Sequence, residues 1–216
     1  ETALSNFGYT FTEQDVNAYR KTFYRFDRKK FDVYWIKYNV HRHPDFQAGA
    51  VYEPVPLFDL NGNLSSLPTS GHYCLLVSSD SWPPVLGDIS ELVENCPLPL
   101  YFVYTLQAHS NLWPIGKLLN RPCPVTLQER IERATAFSQK YKIKNILCDE
   151  IDNAFNTKYA AWPHRLYVIK DNVFTFIQPN AKDGIVITTL LHDLLSHLTN
   201  DANSKRVISP NRAEYI

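Results

Sequence analysis

The chain has 216 residues, 22 acidic and 22 basic side chains and 44% hydrophobic residues, which excludes a disordered chain and predicts one main domain with an extension. A net charge of zero gives no electrostatic basis for binding nucleic acid or an anionic membrane. The mean hydropathy is −0.29 and no apolar run approaches the ~18 residues of a membrane span, so we expect no membrane location. The sequence contains no Met and no basic-then-apolar leader, and we expect a trimmed or processed N-terminus.

Cysteine usage predicts a reducing, cytoplasmic setting. The four cysteines form no Cys-x-x-Cys pair, so neither a disulfide scaffold nor a cysteine-built zinc site is indicated. Cys74, Cys96 and Cys148 lie among apolar residues and are expected to be small core residues. Cys123 lies between two prolines, and we expect an exposed loop thiol there.

The first 50 residues predict an extension that packs on the main core. Thr12 and Asp15 are typical of a helix start, and Val16 and Tyr19 follow at helical spacing. An aromatic and basic stretch, residues 26–38, comes next. We interpret that stretch as a wrap around the core rather than as a separate domain.

Beyond the extension, short apolar segments alternate with helical patterns. Asn61-Gly62 indicates a hairpin turn, and Thr126 with Glu129 indicates a capping box at a helix start. A helix is expected to open at Pro83, where the missing N–H of proline costs nothing. The predicted elements are strand 73–78, helix 83–93, strand 100–106, helix 127–137, strand 145–148, a hairpin of strands 166–169 and 173–177 around an Asp-Asn turn, and helix 187–198.

This order predicts an α/β fold with a central mixed sheet and helices on both faces. Strands and helices follow one another as they do in a thioredoxin-like fold. We assign the main domain to residues 51–200 and a C-terminal tail to residues 201–216. In such folds a cis-proline commonly precedes a core strand beside the active site, and we expect the Trp162-Pro163 bond to be cis.

The reactive position of this architecture follows the first core strand, at the N-terminus of the next helix. Backbone N–H groups and the helix dipole favour an anion there, which is how a thiolate would be activated. In this chain the segment reads Val-Ser-Ser-Asp-Ser-Trp-Pro-Pro over residues 77–84 and contains no cysteine. The sequence therefore argues against thiol peroxidase, oxidoreductase and disulfide isomerase activity.

Three segments carry a likeness to a known family. They are residues 78–84, residues 104–109 with Trp113, and residues 149–153 with Tyr159, Ala160, Pro163 and 165–169. On these segments the chain resembles the iodothyronine deiodinases, whose loop reads Gly-Ser-Cys-Thr-Sec-Pro-Pro. The likeness extends from about residue 12 to residue 198. It implies a thioredoxin-like fold and a pocket at the loop, with His109 and Arg165 at positions that help to hold substrate.

The departures from the family pattern argue against deiodination itself. Trp82 stands at the position of the selenocysteine or cysteine nucleophile, and Asp80 replaces the neighbouring cysteine. Gln107 stands where the family has an acidic residue. An indole cannot attack iodine or pass through a selenenyl intermediate, so the resemblance implies the fold and the location of a pocket without the activity.

A first hypothesis is non-redox acid–base chemistry on a small hydrophobic or aromatic organic substrate, of an isomerisation, cyclisation or elimination type, which would fit a biosynthetic pathway. Asp80 would be the general base and His109 its acid or orienting partner, and the helix N-terminus near Ser81 would stabilise an oxyanion. The alternatives are a helix-capping role for Asp80 and a buried, hydrogen-bonded role for His109. The predicted binding residues are Ser79, Ser81, Trp82, Gln107, Trp113 and Arg165.

Two further hypotheses stay open. The protein could be a pseudoenzyme that binds an aromatic ligand or a partner subunit, with Trp82, Trp113 and Trp162 as an aromatic box, although three tryptophans near one site are more often packing. His41 and His43 with a nearby carboxylate could bind a metal, but no clear further ligands accompany them and we expect surface histidines. We predict no cofactor and no metal, and a homodimer is left open.

We expect the protein to release no iodide from an iodothyronine and to consume no peroxide with dithiothreitol as reductant, because no thiol follows the first core strand. The rate of iodide release with the protein, compared with the uncatalysed rate, tests this expectation. Reductant-dependent release that survives in a variant lacking all four cysteines would contradict the reasoning.

Overall fold

The computed structural model describes residues 44–81, 83–108, 122–179 and 190–207, with the side chains of 83–87 and 201–207 outside that description. Several expectations fall on other residues. The predicted N-terminal helix, Trp82, His109 and Trp113 lie outside the described ranges, as do His41 and His43.

Seven strands form one mixed sheet in the order β2-β1-β5-β4-β3-β6-β7. Strands β3, β4 and β5 are parallel neighbours, and β6 joins β3 antiparallel. Their bounds are β1 Leu57–Phe58, β2 Leu64–Ser65, β3 His72–Ser78, β4 Leu100–Tyr104, β5 Asn145–Asp149, β6 Arg165–Lys170 and β7 Val173–Ile177.

Four helices complete the described part of the chain. They are α1 Pro83–Asn95, α2 Leu127–Tyr141, α3 Ala154–Tyr159 and α4 Leu190–Val207. Helices α1, α2 and α4 bury Leu92, Phe137 and Leu194 in one core cluster, whereas α3 buries Phe155 and Tyr159 in the cluster on the other face. Two right-handed crossovers that step along a sheet in one direction place both helices on the same face, as α1 and α2 are placed here.

The predicted α/β, thioredoxin-like fold is confirmed, with its central mixed sheet and helices on both faces. The connection from β3 through α1 to β4, the hairpin of β6 and β7, and the C-terminal α4 occur in the predicted order. The Trp162-Pro163 bond is cis, as predicted. Strand β4 ends at Tyr104, two residues before its predicted end at residue 106, and α4 continues into the expected tail.

Turn chemistry accounts for the hairpins. Asp171 and Asn172 have φ angles of 48° and 65°, the left-handed values that a tight hairpin turn needs at both central positions. Gly62, with φ 82°, lies in the turn between β1 and β2, which pair antiparallel. Asn61-Gly62 thus forms the predicted hairpin. Thr126 and Glu129 form both hydrogen bonds of the predicted capping box.

Helix α3 was missed by the sequence pattern, since its six residues are too few for a periodic stripe. It forms because Asp149, fully buried at the end of β5, accepts hydrogen bonds from the backbone N–H groups of Phe155 and Asn156, both at 3.0 Å. Thr105 Oγ1 donates a third at 3.1 Å. The acidic run at 149–152 is therefore a structural turn around a helix start.

Arg130 of α2 holds this turn from the opposite side. Its side chain has no exposed surface, and it donates to the carbonyl oxygens of Asp149 and Glu150 and to Asn153 Oδ1. The guanidinium also lies in the field of the Asp149 carboxylate. Burial raises the pKa of Asp149, and the three hydrogen bonds and Arg130 oppose that rise.

No helix in the described ranges is long and apolar enough to cross a membrane.

We expect Arg130→Met to lower the free energy of unfolding by about 3–5 kcal/mol, because it removes the positive charge near the buried Asp149 carboxylate and leaves three oxygen acceptors without their donor. Lys140→Met, on the exposed end of the same helix, should change it by about 0.5 kcal/mol or less. Urea unfolding followed by circular dichroism measures both. Equal losses in the two variants would contradict the assignment.

Candidate functional site

The candidate site lies where β3 and β4 end side by side. Ser78 and Tyr104, the last residues of the two strands, are register partners, and the N–H of Thr105 donates to the Ser78 carbonyl at 3.0 Å. The chain continues into residues 79–81 after β3 and into residues 105–108 after β4. In open α/β sheets ligands bind outside the carboxyl ends of the strands, so the topology brings the predicted loop to a ligand-binding edge.

Three polar side chains from these two ends form a hydrogen-bonded cluster. Gln107 Nε2 donates to Asp80 Oδ1 at 3.2 Å and to the Tyr104 hydroxyl at 2.8 Å. Gln107 and Tyr104 have no exposed surface, whereas Asp80 is half-buried. Asp80 is thus the member of the cluster that solvent or a ligand reaches. Two predicted residues, Asp80 and Gln107, are brought into contact.

Tyr104 stays a neutral phenol in this cluster. Burial raises its pKa well above the ordinary value, and the neighbouring Asp80 carboxylate adds to the shift. The protonated phenol accepts from the Gln107 amide and lies next to the Asp80 carboxylate. Sequence reasoning missed Tyr104, since a tyrosine at the end of an apolar strand is usually core. Its position three residues before Gln107 was the one feature of the sequence that could have indicated a place in the site.

Ser79 and Ser81 are the other predicted loop residues that the structure describes, and both are buried. Ser79 and Ser81 have no exposed surface, and their hydroxyls lie 3.1 Å apart. Ser78 Oγ donates to the carbonyl of the cis-proline, Pro163, at 3.4 Å. Trp162 Nε1 is 3.5 Å from the Gln107 carbonyl, so the indole packs under the cluster.

Arg165 lies on the other face of the sheet from Tyr104. On β6 it shares a face with Tyr167, which belongs to the core cluster around α3, whereas Tyr104 belongs to the cluster around α2. Its Nε donates to the Ala160 carbonyl at 2.8 Å and its Nη1 to the Gln178 carbonyl at 2.7 Å. These bonds tie the end of α3 to the end of β7. The predicted role of Arg165 in ligand binding stays a prediction.

Cys123 was expected to be an exposed loop thiol, and it is half-buried. Its sulfur accepts a hydrogen bond from the backbone N–H of Gln107, and burial raises its pKa although Arg130 and Arg133 oppose the rise. The thiol beside the cluster is therefore protonated near neutral pH. Cys123 therefore does not replace the reactive thiolate that the loop after β3 lacks.

Within the described ranges, no group of three or more His, Cys, Asp or Glu side chains is arranged to hold a metal ion. The acidic run at 149–152 is taken up by its own turn. Asp149 caps α3, Glu150 Oε1 accepts from the N–H of Ile151, and Asp152 Oδ1 accepts from the N–H of Ala154.

Comparison with known proteins gives one curated relative and a set of fold neighbours. The chain is 25% identical over 158 residues to type I iodothyronine deiodinase of Xenopus laevis, a match that covers 68% of this chain and 61% of that protein. The chain thus spans about three-fifths of the relative's length. No protein-family model matches. The replacement of the reactive residue by Trp82 stays a prediction.

Solved structures similar to this chain include an uncharacterised conserved protein from Geobacillus kaustophilus, 16% identical with a TM-score of 0.47, covering 72% of this chain and 84% of that one. A thiol peroxidase from Chromobacterium violaceum is 11% identical with a TM-score of 0.47, covering 75% and 91%. A peroxiredoxin-like protein from Aquifex aeolicus is 8% identical with a TM-score of 0.45, covering 73% and 89%. These likenesses carry no argument about activity.

His164, directly after the cis-proline, makes stability depend on pH. It is 6% exposed, and burial, with the neighbouring Arg165 charge, lowers the pKa of its imidazole to about 3. In the unfolded chain the pKa is about 6.5. Between those values only the unfolded state binds the proton, so this contribution to stability is fully present above pH ~6.5 and is lost as pH falls toward ~3.

We expect the free energy of unfolding of the wild-type protein to fall more steeply below pH ~6.5 than that of His164→Asn, with a slope difference approaching about 1.4 kcal/mol per pH unit. His192→Gln is the matched control, because the His192 side chain is 78% exposed. Urea unfolding at a series of pH values measures the slopes. Equal slopes in the wild type and His164→Asn would overturn the assignment.

Proposed function

We propose that the protein is a non-redox acid–base catalyst that acts on a small hydrophobic or aromatic organic molecule, with Asp80 as the base. The reaction class is proton transfer at a carbon or heteroatom, as in an isomerisation, cyclisation or elimination. The observation that carries the proposal is the cluster in which Gln107 Nε2 lies 3.2 Å from Asp80 and 2.8 Å from Tyr104.

The cluster has the properties that a positioned base needs. The carboxylate of Asp80 is held by Gln107 and Tyr104, which are themselves fully buried, so it does not have to be reoriented during proton transfer. Asp80 itself is half-buried and can meet a substrate. The Tyr104 phenol stays protonated beside the carboxylate and accepts from the same Gln107 amide that donates to Asp80, which supports the same geometry in each turnover.

The helix N-terminus contributes less than a thioredoxin-like loop usually offers. Residues 83 and 84, the first two of α1, are prolines, and a proline has no N–H to donate. Of the first four N–H positions of the helix only those of Val85 and Leu86 remain for an anion. Stabilisation of an anionic intermediate would therefore rest on these two groups and on His109, whose role stays a prediction.

Absence of a thiol in the loop favours proton chemistry over thiol chemistry. Residues 77–84 contain no cysteine, and the thiol beside the cluster, Cys123, has a pKa raised by burial. A thiolate or selenolate cycle needs a cysteine or a selenocysteine, and neither is present at the reactive position. Proton transfer by a carboxylate needs neither.

The second candidate function is that of a binding module for an aromatic ligand. Gln107 Oε1 is buried and has no hydrogen-bond partner, which costs free energy unless a ligand donor meets it. A ligand with an N–H or O–H group next to an aromatic ring would donate to Asp80, the accessible member of the cluster, and would satisfy Gln107 Oε1 as well if its binding opens the cluster. That arrangement needs no turnover.

We expect Asp80→Asn to lower kcat/KM for proton abstraction from a nitrobenzisoxazole, a general probe of positioned bases, by roughly two to four orders of magnitude. Asn has nearly the same side-chain shape as Asp and caps helices about as well. The free energy of unfolding should therefore change little. Glu91→Gln, on the exposed face of α1, is the matched control and should retain activity. Absorbance of the phenolate product gives the rates.

The unreactive analogue indazole separates the two candidates. The catalyst is supported if the wild-type protein both binds indazole and turns over the nitrobenzisoxazole, and if Asp80→Asn loses the turnover. Indazole binding with no turnover in the wild-type protein favours the binding module. Full turnover in Asp80→Asn would overturn the role of Asp80.

A further inference from the structure

Two cysteines meet at the end of the β3–α1 unit that lies away from the candidate site. Cys74 is on β3 and Cys96 directly follows α1. The two thiols are close enough for each to shift the pKa of the other, and Cys96 packs against the core cluster that contains Cys74. Both are free thiols. Each cysteine was predicted to be a core residue, but the sequence pattern does not indicate that the two are paired.

The backbone around the two cysteines keeps them together. The N–H of Cys74 donates to the Pro99 carbonyl at 2.9 Å, and the N–H of Cys96 donates to the Leu92 carbonyl at 2.9 Å. Cys74 is also the register partner of Leu100, the first residue of β4. The short segment from Cys96 to β4 is thus held against the first half of β3.

The two thiols differ in access and acidity. Cys74 is fully buried and Cys96 is half-buried, so a reagent from solution reaches Cys96 first. The hydrogen bond from Cys74 and another from the N–H of Leu98 lower the pKa of Cys96 to about 7. Burial raises the pKa of Cys74 well above its ordinary value. The pair therefore consists of an attacking thiol and a resolving thiol.

We propose that Cys74 and Cys96 form a redox-sensitive site that closes to an intramolecular disulfide when the protein meets a low-molecular-weight disulfide such as oxidised glutathione. The cross-link ties the C-terminal end of α1 to β3. The loop 79–82, which carries Asp80, joins the other ends of the same two elements.

The reaction proceeds in two exchange steps. The Cys96 thiolate attacks one sulfur of glutathione disulfide, whose S–S bond breaks and releases one glutathione as the thiolate. The Cys74 thiol then loses its proton and attacks the Cys96 sulfur, and the mixed disulfide breaks to release the second glutathione. Two protein thiols are oxidised and one glutathione disulfide is reduced to two thiols. The second step is the slower, because Cys74 is buried.

Cys123 provides a matched control. It is half-buried like Cys96, but burial raises its pKa, so its thiolate fraction near neutral pH is small. At pH ~7 we expect iodoacetamide to alkylate Cys96 roughly tenfold or more faster than Cys123.

The test exposes the folded protein to oxidised glutathione, blocks the remaining thiols after unfolding and locates every modified cysteine by mass spectrometry. In the wild-type protein and in Cys123→Ser we expect a disulfide between Cys74 and Cys96. Cys96→Ser should leave Cys74 reduced. Cys74→Ala should accumulate a lasting mixed disulfide of glutathione on Cys96, which the wild type resolves.

Two results would overturn the proposal. One is a lasting mixed disulfide on Cys96 of the wild-type protein with Cys74 still reduced. The other is oxidation of Cys123 while Cys96 stays reduced. Cys74→Ala removes a buried side chain, so its fold is checked by circular dichroism; if it does not fold, the comparison of wild type, Cys96→Ser and Cys123→Ser still decides.

Discussion

Strand β3 must be buried on both faces, and this constraint organises the structure. Leu75 and Val77 face the core cluster around α3, while Cys74 and Leu76 face the cluster around α1 and α2. A strand covered on both sides needs partners on both edges and helices or loops on both faces. It pairs with β4 on one side and β6 on the other, so the loop after Ser78 emerges at the middle of the sheet.

Two carboxylates at this end of the sheet, those of Asp149 and Asp80, lie in different environments. Asp149 is enclosed by backbone N–H groups, Thr105 and Arg130, and its hydrogen-bonding capacity goes into starting α3. Asp80 is held by Gln107 and Tyr104 but keeps access to solvent. A closed network stabilises a fold, whereas a held but accessible carboxylate is what proton transfer requires. This difference, rather than the number of acidic residues, distinguishes structural from candidate functional groups.

The chemistry of the cysteines is separated from the candidate site along one structural unit. Cys74 lies in the first half of β3 and Cys96 after the end of α1, whereas Asp80 lies in the loop that joins the other ends of these elements. A thioredoxin-like fold usually places thiol chemistry in that loop. Here that loop contains a carboxylate, and the helix after it opens with two prolines, so the proton chemistry proposed for one end is spatially separate from the thiol chemistry proposed for the other.

Local patterns in the sequence determined the order of the longer strands and helices, the Asp-Asn and Asn61-Gly62 turns, the capping box and the α/β fold, because each depends on residues a few positions apart; the six-residue α3 has no such pattern. Candidate residues in the loop could be named for the same reason, since a strand followed by a helix start places them. Pairing across long separations was decided only by the tertiary structure. Tyr104 joins Asp80, Arg165 turns to the other face of the sheet, and Cys74 meets Cys96, because strand register and helix packing, which no local pattern encodes, set which side chains share a face.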